Sequence, residues 1–170
     1  VLRGLKPGGW AVAEMQATTD YQTRPSRPDP TRGRDISRRL EDQTRDGIMA
    51  EVLYPNSGLA LFNSPVAQYQ IAVAQSYNDW LADLFSGHRN QFVPVGMVPV
   101  INIDAAVAET RRLAKRGYRA IKVPITFPDR PYNDPEYDPL WAICEEAGLS
   151  ISFHAFTNSE DVYPSDWGRR

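Results

Sequence analysis

From residue 47 onward the apolar positions follow two alternating periods. Short apolar runs at 50–54, 92–98, 119–125 and 149–154 read as strands. Between them, apolar residues recur at helical spacing. Val73, Ala74, Tyr77, Trp80, Leu81, Leu84 and Phe85 predict a helix over about 66–86, stopped by Gly87. Ile103, Ala106, Val107, Thr110, Leu113 and Ala114 predict another over 103–116, stopped by Gly117. A third is predicted from Asp138 as N-cap and Pro139 in the first turn, through Leu140, Ile143, Cys144 and Ala147, to Gly148. Trp80, Trp141 and Cys144 fall among these periodic positions and are expected to pack. Pro94 and Gly96 weaken the second strand unless they mark a bulge or a close approach.

Before residue 47 the pattern is different. Apolar residues are sparse, and the segment cannot bury a core of its own. The run Arg24-Pro25-Ser26-Arg27-Pro28-Asp29-Pro30 reads as a loop, because each proline biases its predecessor away from helix. A short polar helix is expected over 35–46, with Asp35 as N-cap and Gly47 past its end. The organisation expected is a loop-rich segment over 1–46, a β/α body over 47–157 and a terminal loop over 158–170.

Strands alternating with helices imply α/β architecture with a parallel sheet. A doubly wound nucleotide-binding sheet usually carries a glycine-rich turn after its first strand. Neither G-x-G-x-x-G nor G-x-x-x-x-G-K-[ST] occurs. The strands end instead at Asn56, Pro99, Thr126 and His154, a mixture that suits the loops of a (β/α)8 TIM barrel. Such a barrel takes about 250 residues. With 170 residues and four strands, a partial barrel is expected, cut at both ends.

Charge and composition remove other classes. A net charge of −2 argues against a nucleic-acid binder. Arg32, Arg34, Arg38 and Arg39 are interleaved with Asp35, Glu41 and Asp42, as on a solvated face. One cysteine excludes an internal disulfide. No long apolar run predicts a membrane span and no signal peptide is recognisable, so a cytoplasmic protein is expected.

With only two histidines, a site built mainly of histidine ligands cannot be completed within the chain. His88 follows a helix end, where the helix dipole favours it. His154 is the more interesting, because barrel catalytic residues sit at the C-terminal ends of strands. Alternation puts Ser150, Ser152 and His154 on one face, towards the barrel axis, and Ile151 and Phe153 under the helices. There His154 could ligate a divalent metal or relay protons; the alternative is a hydrogen-bonded structural histidine. Lys122 shares a face with Ala120 and Pro124 and could also point inward. It would then meet a substrate carboxylate, bridge metals after carboxylation or, as the simpler reading, form half of an ion pair. Asn56 could donate to a substrate, although Pro55-Asn56 is also an ordinary turn.

Several stretches together resemble the amidohydrolase-related family that includes aminocarboxymuconate semialdehyde decarboxylase. They are Asp46-Gly47-Ile48-Met49-Ala50-Glu51-Val52-Leu53-Tyr54-Pro55-Asn56, Tyr77-Asn78-Asp79-Trp80-Leu81, Tyr137-Asp138-Pro139-Leu140-Trp141 and Ile151-Ser152-Phe153-His154. The resemblance implies strands two to five of a distorted barrel with a divalent metal, most often zinc, at its mouth. It makes His154 the fifth-strand metal ligand. It also implies water attack on, or decarboxylation of, a small carboxylated or cyclic substrate by the full-length protein, a possible homo-oligomer. The family's first-strand His-x-His pair has no counterpart in this sequence, nor have its sixth to eighth strands. This piece alone is therefore expected to be inactive. The competing expectation is a non-catalytic α/β module that binds a ligand or partner, with His154 structural.

Overall fold

The computed structural model describes residues 35–55, 62, 64–125 and 131–154. Its contacts divide the chain between Ile48 and Met49. In the first unit, helix α1 spans Ile36–Asp46. The Asp35 carboxylate accepts from the Arg38 N–H at 3.2 Å and so satisfies one orphan donor of the first turn. Gly47, at φ 70°, ends the helix, and the Ile48 N–H donates back to the Gln43 carbonyl at 2.8 Å.

The second unit is built as β1 (Glu51–Leu53), α2 (Ala67–Leu84), β2 (Phe92–Met97), α3 (Ile103–Lys115), β3 (Ala120–Pro124), α4 (Asp138–Glu146) and β4 (Ser150–His154). All neighbouring strands are parallel and their spatial order is β1-β2-β3-β4. This order separates the two candidate architectures. A doubly wound sheet reverses its strand order and places helices on both faces. An order that only advances, with right-handed crossovers, winds every helix onto one face. The four strands and the three helices that join them therefore form part of a TIM-type barrel, as the periodicity predicts.

The helix-facing side of the sheet is the core. Ile121 and Val123 of β3 are fully buried with Leu113 of α3 and Leu140, Ile143 and Cys144 of α4, and Ile151 of β4 packs against them. Gly96 explains its own place in β2. A Cβ there would lie 2.6 Å from Leu113 Cδ1, so the missing side chain lets α3 approach the sheet.

One buried polar latch ties α2, β2 and α3 together. The last register pair of β1 and β2 is Leu53↔Pro94, which leaves Met97 beyond the end of β1. Asn78 of α2 takes the place of the missing strand. Its Nδ2 donates to the Met97 carbonyl at 2.7 Å and its Oδ1 accepts from the Met97 N–H at 2.9 Å. The same Nδ2 donates to Glu109 Oε1 at 2.7 Å. Glu109, buried, also accepts two bonds from Arg112, each 2.7 Å, and Arg112 reaches on to Asp79. A buried carboxylate is tolerated here because it is paired and hydrogen-bonded. Two elements of the stretch Tyr77-Asn78-Asp79-Trp80-Leu81 thus hold the fold together.

Four expectations need correction. Trp80 is 55% exposed, its ring resting on Tyr77 5.7 Å away. Phe153 is 51% exposed and meets only the edge of the helix layer, through the Tyr132 ring at 5.3 Å. Gly87 is not a left-handed stop; the positive-φ glycines described are Gly47, Gly117 and Gly148, and α2 has ended at Leu84. Asp138 is already helical, since a 3-10 turn over Pro135–Tyr137 runs straight into α4. The carboxylate cap sits earlier, where Asp134 accepts from the Glu136 N–H at 2.9 Å. The expected loop over 24–30 and the tail after Asn158 lie outside the described residues. No described helix is long and apolar enough to cross a membrane.

Candidate active site

The face of β3 and β4 turned away from α3 and α4 carries Lys122, Ser152 and His154. Register places Lys122 beside Ser152 and Pro124 beside His154. Because side chains alternate, Ser152 and His154 share a face opposite Ile151, which is in the core. The sheet curls enough for its two edges to meet on that side. The Ser152 hydroxyl, on β4, donates to the Tyr54 hydroxyl, just past β1, at 3.0 Å. The Tyr54 ring lies 5.8 Å from the His154 imidazole at an interplanar angle of 56°. His154 is the last residue of β4 and half-buried. Its carbonyl accepts from the Ile125 N–H at 3.2 Å, which fixes the strand end in position.

Lys122 is fully buried, and its ammonium stands 4.8 Å from the centroid of the Phe62 ring. The expected ion pair is absent: among the described residues, Nζ has no hydrogen-bond or charge partner. Phe62 covers the amine where a carboxylate was expected. Its quadrupole offers a weak attraction to the cation that does not replace water. Burial therefore pushes the Lys122 pKa down, to about 8.

That shift has a direct consequence for stability. Below pH 8 the lysine is protonated in both the folded and unfolded chain, and the folded state bears the whole desolvation cost. Between pH 8 and the ordinary lysine pKa the folded chain releases its proton first, so stability rises with pH. Lys122→Met is accordingly expected to stabilise the fold by about 3 kcal/mol at pH 7. Thermal unfolding of both chains from pH 7 to 10 checks this: the gap should narrow across the range. Cys144, whose thiol burial pushes up to about 11, is common to both chains and cancels in the comparison.

The sequence-predicted residues are thus partly brought together. His154 and Lys122 stand on adjacent strands of one sheet, and Asn56 lies outside the described residues. Tyr54 and Phe62 were not foreseen. Tyr54 sits within a recognised strand region, yet its meeting with Ser152 joins residues 98 apart in sequence, which no local pattern encodes. No group of three or more His, Cys, Asp or Glu that could hold a metal occurs among the described residues. The chemistry present is one imidazole, two hydroxyls and one buried amine. An imidazole at a strand end fits one corner of a divalent-metal site, which needs further ligands to close.

Comparison with known proteins bears on this arrangement. The model of the amidohydrolase family matches residues 19–166. The 2-amino-3-carboxymuconate-6-semialdehyde decarboxylase of Dictyostelium discoideum is 25% identical over 133 residues, 76% of this chain and 36% of that protein. The structure of 2,6-dihydroxybenzoate decarboxylase from Rhizobium superposes with a TM-score of 0.63 at 25% identity, covering 71% of this chain and 39% of that one. The dihydroxybenzoic acid decarboxylase from Polaromonas sp. JS666, with bound manganese and the inhibitor 2-nitroresorcinol, gives a TM-score of 0.65 at 21% identity. It covers 78% of this chain and 40% of its own, and shares the fold. This chain spans well under half the length of each.

Proposed function

The chain belongs to the amidohydrolase family, and from that premise we propose that it supplies part of the active site of a metal-dependent decarboxylase or hydrolase acting on a small carboxylated substrate. The observation that carries the reading is the position of His154: at the C-terminal end of a parallel strand, on the face opposite the core residue Ile151. His154 is assigned as one ligand of a divalent metal. When bound, such a metal lowers the pKa of a coordinated water and polarises the substrate. Zinc is the sequence-based expectation, while manganese is bound in the Polaromonas relative.

The other side chains position and charge the site. Lys122 is assigned as the partner of a substrate carboxylate. Its ammonium is buried away from water with no anion beside it among the described residues, so an arriving carboxylate would supply an ion pair. Asn56, just past β1, is assigned as a substrate hydrogen-bond donor. The Tyr54–Ser152 bridge joins the ends of β1 and β4 beside the His154 ring.

The test is metal analysis and a substrate screen of the complete gene product. About one divalent ion per chain is expected, with loss of activity on chelation and recovery with zinc or manganese. Dihydroxybenzoates and other small aryl carboxylates form the first panel, with carbon dioxide release distinguishing decarboxylation from hydrolysis. A metal-free protein, inert to chelator and to the whole panel, would favour the non-catalytic binding module.

A further inference from the structure

The described residues hold a second concavity at the opposite end of the strands from His154. It is a cavity of about 220 Å³ framed by the loops that follow α2 and α3. The accessible edges of Phe85 and Tyr118 give it a small apolar floor, with Phe92 buried behind them, and Arg89, Arg116 and Arg119 line it. That end of a barrel ordinarily serves stability alone. The accounting of charge here goes further than stability needs.

Arg116 is neutralised: its guanidinium pairs with Asp79 at 3.2 Å and Asp83 at 2.8 Å. Arg89 and Arg119 pair with no carboxylate among the described residues, and no acidic side chain lines the cavity. Arg89 is nevertheless held in place. Its Nη1 donates to the Arg116 carbonyl at 2.6 Å and occupies space that a side chain on residue 117 would fill, 2.5 Å from an ideal Cβ. Gly117, at φ 82°, both turns the chain and leaves room for the guanidinium. One fixed and one unpaired guanidinium beside aromatic walls favour a flat apolar body with a negative charge. The volume is below that of a drug-sized pocket and suits a fragment.

We propose that this cavity is a second ligand site, distinct from the one at the strand C-termini, that takes a small aromatic carboxylate between Arg89 and Arg119. The experiment uses the complete gene product carrying His154→Ala and Lys122→Met, which removes both the proposed metal ligand and the proposed carboxylate partner of the first site as competing loci. Saturation-transfer NMR with benzoate should give a saturable signal that weakens with added salt. Benzylamine, with the same ring and the opposite charge, should give none. Arg119→Gln and Arg89→Gln should each weaken benzoate about tenfold, the loss of one charge-assisted contact. Arg119 donates no side-chain hydrogen bond described in the fold, so its variant reports binding even if Arg89→Gln unfolds. Equal signals from benzylamine and benzoate, or benzoate binding unchanged in Arg119→Gln, would overturn the proposal. Because these measurements need no metal, they stand or fall separately from the proposed reaction.

Discussion

His154→Ala in the complete gene product is expected to lower metal-dependent turnover by about three orders of magnitude or more, with loss of the bound ion. The size follows from what one ligand does. A catalytic zinc usually has three protein ligands, so removing one opens the shell and weakens both metal retention and acidification of its water. The substitution should cost little stability, because His154 is half-buried at a strand end. Metal content, turnover and thermal unfolding measured together separate the outcomes. Loss of metal and activity with an unchanged midpoint supports the ligand role. Full metal occupancy in the variant would remove His154 from the site.

Asn78→Ala is expected to cost about 4 kcal/mol of folding stability. One amide serves three buried groups: both peptide atoms of Met97 and the Glu109 carboxylate. Alanine leaves all three without that partner, while Glu109 keeps its two bonds from Arg112. The penalty is the desolvation of the stranded groups more than the lost bonds themselves. Chemical denaturation gives the midpoint shift directly. A double variant with Glu109→Gln should be less than additive, since the two residues share a bond. A loss below about 1 kcal/mol would mean that water replaces the amide.

The family resemblance read from short stretches and their order corresponds to the family match over 19–166. Parts of those stretches have physical roles that the sequence leaves unstated. Asn78 and Asp79 were legible only as a pattern; the structure makes Asn78 a substitute strand edge and Asp79 an anchor for two arginines. Tyr54 was legible as a strand residue, and its pairing with Ser152 was not. Lys122 was legible as facing the sheet's polar side. Its partner was not, because Phe62 comes from a distant segment.

The sequence by itself determined the β/α order and most helix limits. These depend on contacts within a few residues: periodic apolar faces, the Asp35 cap, and the glycines that turn the chain at Gly47, Gly117 and Gly148. It also determined which face of β4 holds His154, since alternation is a local rule. Tertiary structure decided that Phe153 of β4 and Trp80 of α2 stay exposed although their periodicity matches the core. It decided that Lys122 is buried against a ring with no counter-ion among the described residues, and that the Tyr54 ring lies beside His154. Burial and pairing at these positions depend on what other strands and loops deliver to the same point, and the curvature of the sheet sets that delivery.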